Sequence, residues 1–219
     1  MIKEDILVTG GRGSIGSYSP GKVLSQGELD IRDLKAVLEV VGRLKPKVIV
    51  HLAALTDMKA CEENPKDAYY TNTIGTYNIA LAARSIGALL VYVSTNAVFD
   101  GKKSEPYKST DTPSPNTVYG HSKYAGECIV RSLLTEYLIV RTSWIFGGGP
   151  GVDKKFVGKI LSRTLAGNFE DIQAVNDVIG TPTYAKDFME GVLGLLRDDR
   201  RGLVHVVNAG QGTRYDEAA

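Results

Sequence analysis

The sequence predicts an α/β protein built on a doubly wound, mostly parallel sheet. Three observations carry that expectation. Short continuous apolar runs recur along the chain, helix-length segments separate them, and a glycine-rich turn follows the first run. Continuous apolar runs indicate strands covered on both faces, as in parallel sheets flanked by helices. Their regular alternation with helices marks the doubly wound architecture.

The elements follow in order. Ile6-Leu7-Val8 is the first strand and leads into Thr9-Gly10; Lys22-Val23-Leu24 is the next strand candidate. Between Asp33 and Leu44 the residues Leu34, Val37, Leu38, Val41 and Leu44 fall on one helical stripe. Lys47 to Ala53 is a β-branched run of strand length, and 68–83 is helical and rich in small residues. Leu89-Leu90-Val91-Tyr92-Val93 is another strand, a helix is predicted from Val118 to Leu134, and Leu138-Ile139-Val140 follows as a strand. The proline-containing stretch 105–116 is a surface-loop candidate. Thr213 opens a capped helix, with an acid three residues on at Asp216.

Composition narrows the function classes. The chain has 219 residues, 43% apolar and 23% charged, with a net charge of +1 and both signs interspersed. No basic footprint argues for nucleic acid and no polybasic run for a membrane surface. No apolar stretch of ~18 residues predicts a span, and the acidic start Met1-Ile2-Lys3-Glu4-Asp5 does not resemble a signal peptide. Cys61 and Cys128 have no motif spacing, which fits a reducing cytoplasm. His51, His121 and His205 are scattered, so no metal site is expected.

Two local patterns carry chemistry. After the first strand, Thr9-Gly10-Gly11-Arg12-Gly13-Ser14-Ile15-Gly16 places glycines at 10, 13 and 16. A glycine-rich turn between strand and helix brings backbone N–H groups and a helix N-terminus to a pyrophosphate, and this one stands where the first βα turn of a dinucleotide fold belongs. In "VYGHSKYAGE", Tyr119 and Lys123 stand four residues apart on one predicted helix face. Alone the pair is an ordinary amphipathic face. Beside a dinucleotide turn it reads as a proton donor with its cation.

The combination T-G-x-x-G-x-x-G with Y-x-x-x-K resembles the extended short-chain dehydrogenase/reductases. Within them it is most similar to the dTDP-4-dehydrorhamnose reductases. Glu28-Leu29-Asp30-Ile31, Lys45 to Ala54, Val93-Ser94-Thr95, Val98-Phe99-Asp100-Gly101, Leu138 to Trp144 and Gly180 to Ala185 extend the match over nearly the whole chain. The resemblance implies a Rossmann-type NAD(P)-binding domain over 1–142. Residues 143–219 would return to the sheet and contribute part of a small, incomplete nucleotide-sugar domain. It implies that Gly10, Gly13, Ser14, Ile15 and Gly16 hold the cofactor pyrophosphate, Asp30 and Ile31 meet the adenine, and Ala53, Ala54 and Leu55 pass beneath the nicotinamide-side ribose. Asn72 would support the site from a helix. Thr95, Tyr119 and Lys123 would be the catalytic set, the last two also touching cofactor. Asn96 and Trp144 would join Thr95 at the sugar, with a core tryptophan as the alternative for Trp144.

The activity so implied is NAD(P)H-dependent reduction of a 4-keto group on a nucleotide-activated 6-deoxy sugar, with NADP(H) placed ahead of NAD(H). The tyrosine would serve as acid with its pKa lowered from about 10 by the lysine. A homodimer is kept in view. Another nucleotide-sugar epimerase or dehydratase, or a non-catalytic binding subunit resembling the methionine adenosyltransferase beta subunit, are the alternatives. Three departures stand out. Asn96-Ala97 replaces the Asp-Tyr that usually follows the catalytic threonine, which weakens the sugar assignment. Tyr18 stands where some members have a glutamate associated with magnesium, so the metal is not carried over. Only Ser17 to Gly21 separate Gly16 from the second strand candidate. A parallel crossover needs a dozen or more residues, so the expectation is that residues are missing after Ser17, with an unusual deletion of the crossover as the alternative.

Overall fold

The computed structural model describes residues 5–149, 151–168 and 172–218. Its elements are β1 (Ile6–Thr9), β2 (Lys22–Leu24), α1 (Leu34–Leu44), β3 (Val48–His51), α2 (Met58–Glu63), α3 (Pro65–Tyr69), α4 (Gly75–Ile86), β4 (Leu89–Thr95) and α5 (Val118–Leu133). They continue as β5 (Tyr137–Thr142), β6 (Ile145–Phe146), α6 (Phe156–Leu165), β7 (Thr183–Tyr184), α7 (Ala185–Arg197), β8 (Gly202–His205) and α8 (Arg214–Ala218). Six strands form one parallel sheet in the order β2-β1-β3-β4-β5-β8, and β6 pairs β7 separately. The α/β expectation is met.

The central strands β1, β3, β4 and β5 are mostly apolar because both faces are covered. One face packs Leu7, Ile49, Leu90, Tyr92 and Ile139 against Val37 and Val41 of α1, Ile79 and Ala83 of α4, and Val130 of α5. The other packs Val8, Val50, Val91 and Val140 against Phe188, Met189 and Val192 of α7. The ends are set locally. Asp33 caps α1 by accepting from Ala36 N, and Thr117 caps α5 by accepting from Gly120 N at 3.0 Å. That cap places Tyr119 and Lys123 in the first turns of α5.

Two elements differ from expectation. Residues 10–21 join the parallel β1–β2 pair, with Leu7 opposite Lys22 and Thr9 opposite Leu24. A single 3₁₀ turn, Gly16–Tyr18, stands where the crossover helix was expected. About a dozen residues can span ~40 Å, ample to return along a three-residue strand of ~10 Å. Ile15 and Tyr18 help cover the face that such a helix would have covered, together with α7. Second, the helix expected over 68–83 is divided: a π-helical turn at Tyr70–Ile74 joins α3 to α4. The π turn holds the buried Asn72.

Candidate active site

The residues singled out by the sequence gather at the carboxyl ends of β1, β3, β4 and β5, where open parallel sheets bind ligands. The glycine turn leaves β1 through Gly10 at φ +76°. A Cβ there would lie 2.5 Å from Ala53 N, so only glycine allows β1 and the end of β3 to approach so closely. A Cβ on Gly16 would overlap the Gly11 carbonyl. Gly13 differs: the nearest atom to its would-be Cβ is the Gly10 oxygen at 3.5 Å, leaving open space beside the backbone between Gly11 and Ser14. Gly11 N donates to Leu24 O at 3.1 Å, tying the turn to β2. Crowded outer glycines around an open middle one fit a pyrophosphate laid against the backbone. No helix dipole reinforces it, because the 3₁₀ turn is too short; the helix N-terminus expected there is absent.

Beyond β2, Asp30 is engaged by Arg32, whose Nε and Nη2 donate to the carboxylate at 2.9 and 2.6 Å. Arg32 holds the Asp30 carboxyl below the usual range. Ile31 packs on Gly75, where a Cβ would meet its Cδ1 at 2.5 Å, and its carbonyl accepts from Asn78 Nδ2 at 2.9 Å. Ala53, Ala54 and Leu55 follow β3. Asn72 fixes that segment: its Oδ1 accepts from Leu55 N at 2.7 Å, and its Nδ2 donates to Leu55 O at 3.0 Å and Ser122 Oγ at 2.9 Å. The carboxamide is buried and spent on these bonds. Asn72 therefore clamps β3's exit to α5.

Thr95 ends β4, 6% exposed. Its hydroxyl accepts from Ala97 N at 3.1 Å, donates to Asn96 Oδ1 at 3.3 Å and interacts with the Tyr119 phenol. Burial pushes Tyr119 up to about 12, with the Thr95 hydroxyl opposing the rise. This reverses the expected lowering. The phenol end sits in the protein while Lys123, 3% exposed, directs its Nζ over the Tyr92 ring, 4.2 Å from the centroid. Burial brings Lys123 down to about 7, and the Glu127 carboxylate resists that fall. Desolvation outweighs the Thr95 hydrogen bond at Tyr119 and the Glu127 attraction at Lys123.

Trp144 lies two residues past Thr142, the register partner of Thr95. Its φ of +43° turns the chain out of the sheet. Its half-buried ring packs against Gly180 and under the Arg214 guanidinium, 3.8 Å away. Asn96 is exposed, whereas Ala97 is half-buried and its carbonyl leaves no room for a side chain at Gly120. Tyr18 faces Tyr184, hydroxyl to hydroxyl at 3.1 Å, and accepts from Gly148 N at 3.2 Å. Among the described residues no cluster of His, Cys, Asp or Glu could hold a metal, and no helix is long and apolar enough to cross a membrane.

Sequence reasoning missed what lies beneath the site. His51 bridges Thr9 Oγ1 at 2.7 Å and Thr76 Oγ1 at 3.2 Å. Thr76 donates to Asn72 O, so His51 Nε2 is the donor to Thr76 and Nδ1 accepts from Thr9. Ser94, Glu127 and Arg141 form a buried ionic cluster. Of this, only the i,i+4 spacing of Lys123 and Glu127 was visible in the sequence.

A six-stranded parallel sheet, a glycine turn built for close backbone approach, and a Thr–Tyr–Lys set at the strand ends define a dinucleotide-binding α/β protein of the reductase type. The chain belongs to the family described as RmlD substrate binding domain, which matches residues 4–219. It is 36% identical to the spore coat polysaccharide biosynthesis protein SpsK of Bacillus subtilis, over 97% of this chain and 76% of that protein. It is 34% identical to dTDP-4-dehydrorhamnose reductase of Mycobacterium tuberculosis, over 98% of this chain and 73% of that one. The crystal structure of dTDP-4-dehydrorhamnose reductase from Bacillus anthracis in complex with NADP superposes with a TM-score of 0.91 at 34% identity, covering 97% of this chain and 77% of that one.

Proposed function

We propose that the chain is an NAD(P)H-dependent reductase that converts the 4-keto group of dTDP-4-dehydro-L-rhamnose to the alcohol of dTDP-L-rhamnose. The convergence of Thr95, Tyr119 and Lys123 beside the glycine turn carries this reading. The named reductases among its relatives and the NADP-bound neighbour support it. The hydride is the chemistry that a bound nicotinamide supplies. Gly10, Gly13, Ser14, Ile15 and Gly16 receive the pyrophosphate, Asp30 and Ile31 the adenine end, and Ala53 to Leu55 the ribose nearest the reaction. Residues 1–142 serve the cofactor; 143–219 return to the sheet and contribute part of the nucleotide-sugar site, with Trp144 at the sugar. The reading includes a cytoplasmic enzyme, working as a homodimer.

Thr95 Oγ1 and the Tyr119 hydroxyl together cradle the carbonyl oxygen. As negative charge develops there, both hydroxyls hydrogen-bond it more strongly, which is stabilisation confined to the transition state. Tyr119 then gives up its proton. A phenol at about 12 stays protonated across the physiological range, as reduction requires. It is still a far stronger acid than an alcohol or water at ~15.7, so transfer to an alkoxide runs downhill. Lys123, while cationic, stabilises the phenolate left behind.

The test follows absorbance of NADPH, then NADH, with dTDP-4-dehydro-L-rhamnose and no added metal. Rapid oxidation that falls by roughly 10²–10⁴ in Tyr119→Phe, with cofactor affinity nearly unchanged, is expected. An active Tyr119→Phe enzyme sinks the proton-donor assignment. Tight cofactor binding without turnover on this sugar overturns the substrate.

A further inference from the structure

The reductase chemistry uses Thr95, Tyr119 and Lys123 but leaves unexplained a carboxylate buried beneath them. Glu127 lies one turn beyond Lys123 on α5 and is fully buried. Its Oε1 accepts from Ser94 Oγ at 2.5 Å and Arg141 Nε at 2.8 Å, and its Oε2 accepts from Arg141 Nη2 at 2.6 Å. Ser94 directly precedes Thr95 on β4 and is the register partner of Arg141 on β5. One carboxylate thus joins the helix bearing Tyr119 and Lys123 to the strand bearing Thr95.

Stability alone does not account for such a pair. Removing both ions from water costs several kcal/mol, and a well-packed apolar pair is often as stable. The surroundings of Lys123 supply another reason. Facing it are Glu127 one turn on along α5, the Tyr92 ring from β4, His51 from β3 and, behind Glu127, Arg141 of β5 with His205 of β8 as its register partner; Tyr119 lies one turn back on α5. Tyr119 and Tyr92 are held protonated, and burial keeps His51 neutral. Glu127 is therefore the negative charge in this set, and Arg141 the positive one besides Lys123 itself.

We propose that Glu127 is a positioning residue for the reduction: its carboxylate, held by Ser94 and Arg141, supplies the counter-charge for the buried Lys123 ammonium and fixes the Thr95 end of β4. The proposal rests on the reading of Thr95, Tyr119 and Lys123 given above. Two neutralising variants push Lys123 in opposite directions. Glu127→Gln removes the carboxylate that favours the ammonium, so the ammonium is lost at lower pH. Arg141→Gln leaves the Glu127 charge unshared, so the ammonium persists to higher pH.

The experiment measures turnover against pH, with melting temperature, for wild type, Glu127→Gln, Arg141→Gln, Glu127→Asp and Lys123→Met in the NADPH-linked sugar reduction. The wild-type alkaline limb is expected near pH 7, where Lys123 loses its proton. It should move down by about one unit or more in Glu127→Gln and up in Arg141→Gln, since a neighbouring charge shifts such groups by roughly 1–3 units. Glu127→Asp, which keeps the charge, should retain the limb. Lowered melting temperature and turnover in both Gln variants, with the limb unmoved, mark a merely structural pair and overturn the proposal. Should one of the two Gln variants fail to fold, the other decides, and a limb left in place there overturns the proposal equally. If Lys123→Met keeps wild-type turnover and limb, the catalytic reading of Lys123 fails instead.

Discussion

Gly10 and Gly13 stand three residues apart in one turn, yet alanine should act on them through different physics. At Gly10 an alanine must adopt φ +76°, a left-handed conformation costing about 1–2 kcal/mol. Its Cβ would also lie 2.5 Å from Ala53 N, 2.7 Å from Ala53 Cα and 2.8 Å from the Leu52 carbonyl carbon. All three are backbone atoms at the end of β3, so no side chain can swing aside. Relief requires about 1 Å of separation between the β1 turn and β3, which loosens contacts of the central strands and adds a cost of the size seen for strained or overpacked sites, roughly 1–3 kcal/mol. The sum is about 2–5 kcal/mol. For a chain of this size that lowers the melting temperature by roughly 4–20 °C.

At Gly13 an alanine meets nothing closer than 3.5 Å and has no positive φ to satisfy. Its melting temperature should stay within about 2 °C, since surface changes of this kind usually cost under ~0.5 kcal/mol. Cofactor affinity should nonetheless fall by tenfold or more, about 1.4 kcal/mol, because the new methyl occupies space the pyrophosphate needs. Thermal denaturation without cofactor, followed by fluorescence titration with NADPH, separates the two effects. A stable Gly10→Ala protein would refute the close-packing argument. Unchanged NADPH affinity in Gly13→Ala would refute the assignment of this turn to pyrophosphate.

Two further outcomes are expected. Burial lowers His51 to about 3 against an ordinary 6.5, so the unfolded chain binds a proton that the folded one refuses between those values. Its stabilising contribution is complete above pH 6.5 and declines as pH falls, by about 3 kcal/mol at pH 4. Denaturant unfolding of wild type and His51→Gln at pH 7 and 4 should show a correspondingly smaller pH penalty in the variant; equal penalties would refute a neutral buried imidazole. Ala97 is half-buried in the turn after Thr95, so Ala97→Tyr should change KM or preference among 4-keto sugars by severalfold while NADPH affinity holds. Identical sugar kinetics would place residue 97 outside the substrate site.

Much of the protein was legible because its signals are local. The runs around Leu7, Ile49, Leu90 and Ile139 announce parallel strands, since burial on both faces removes any polar alternation. The glycine turn and the Tyr119/Lys123 pair are likewise short-range patterns, and the cap at Thr117 locates the pair on its helix. The first crossover misled because the rule calling for a helix is statistical. The sheet requires only a chain long enough to return, and Ile15, Tyr18 and α7 cover the face instead. The π turn was invisible because tertiary bonds from Asn72 to Leu55 and Ser122 accompany it, whereas the composition of 68–83 suits an unbroken helix.

The sequence by itself determined the α/β class and the place of the glycine turn, and it pointed to the three side chains proposed to react. The strand runs, the glycine turn and the Tyr119/Lys123 pair each depend on residues within a few positions of one another, whereas Thr95 was reached through the family resemblance. Tertiary structure alone decided the protonation of those side chains and what supports them. Whether Tyr119 rises or falls depends on how far burial outweighs the Thr95 hydrogen bond, and that balance exists only once the site is enclosed. Ser94, Glu127 and Arg141 become one cluster only when β4 and β5 pair in register and α5 packs across them. Charge and desolvation act through space, so a chain written as a line does not carry their sign.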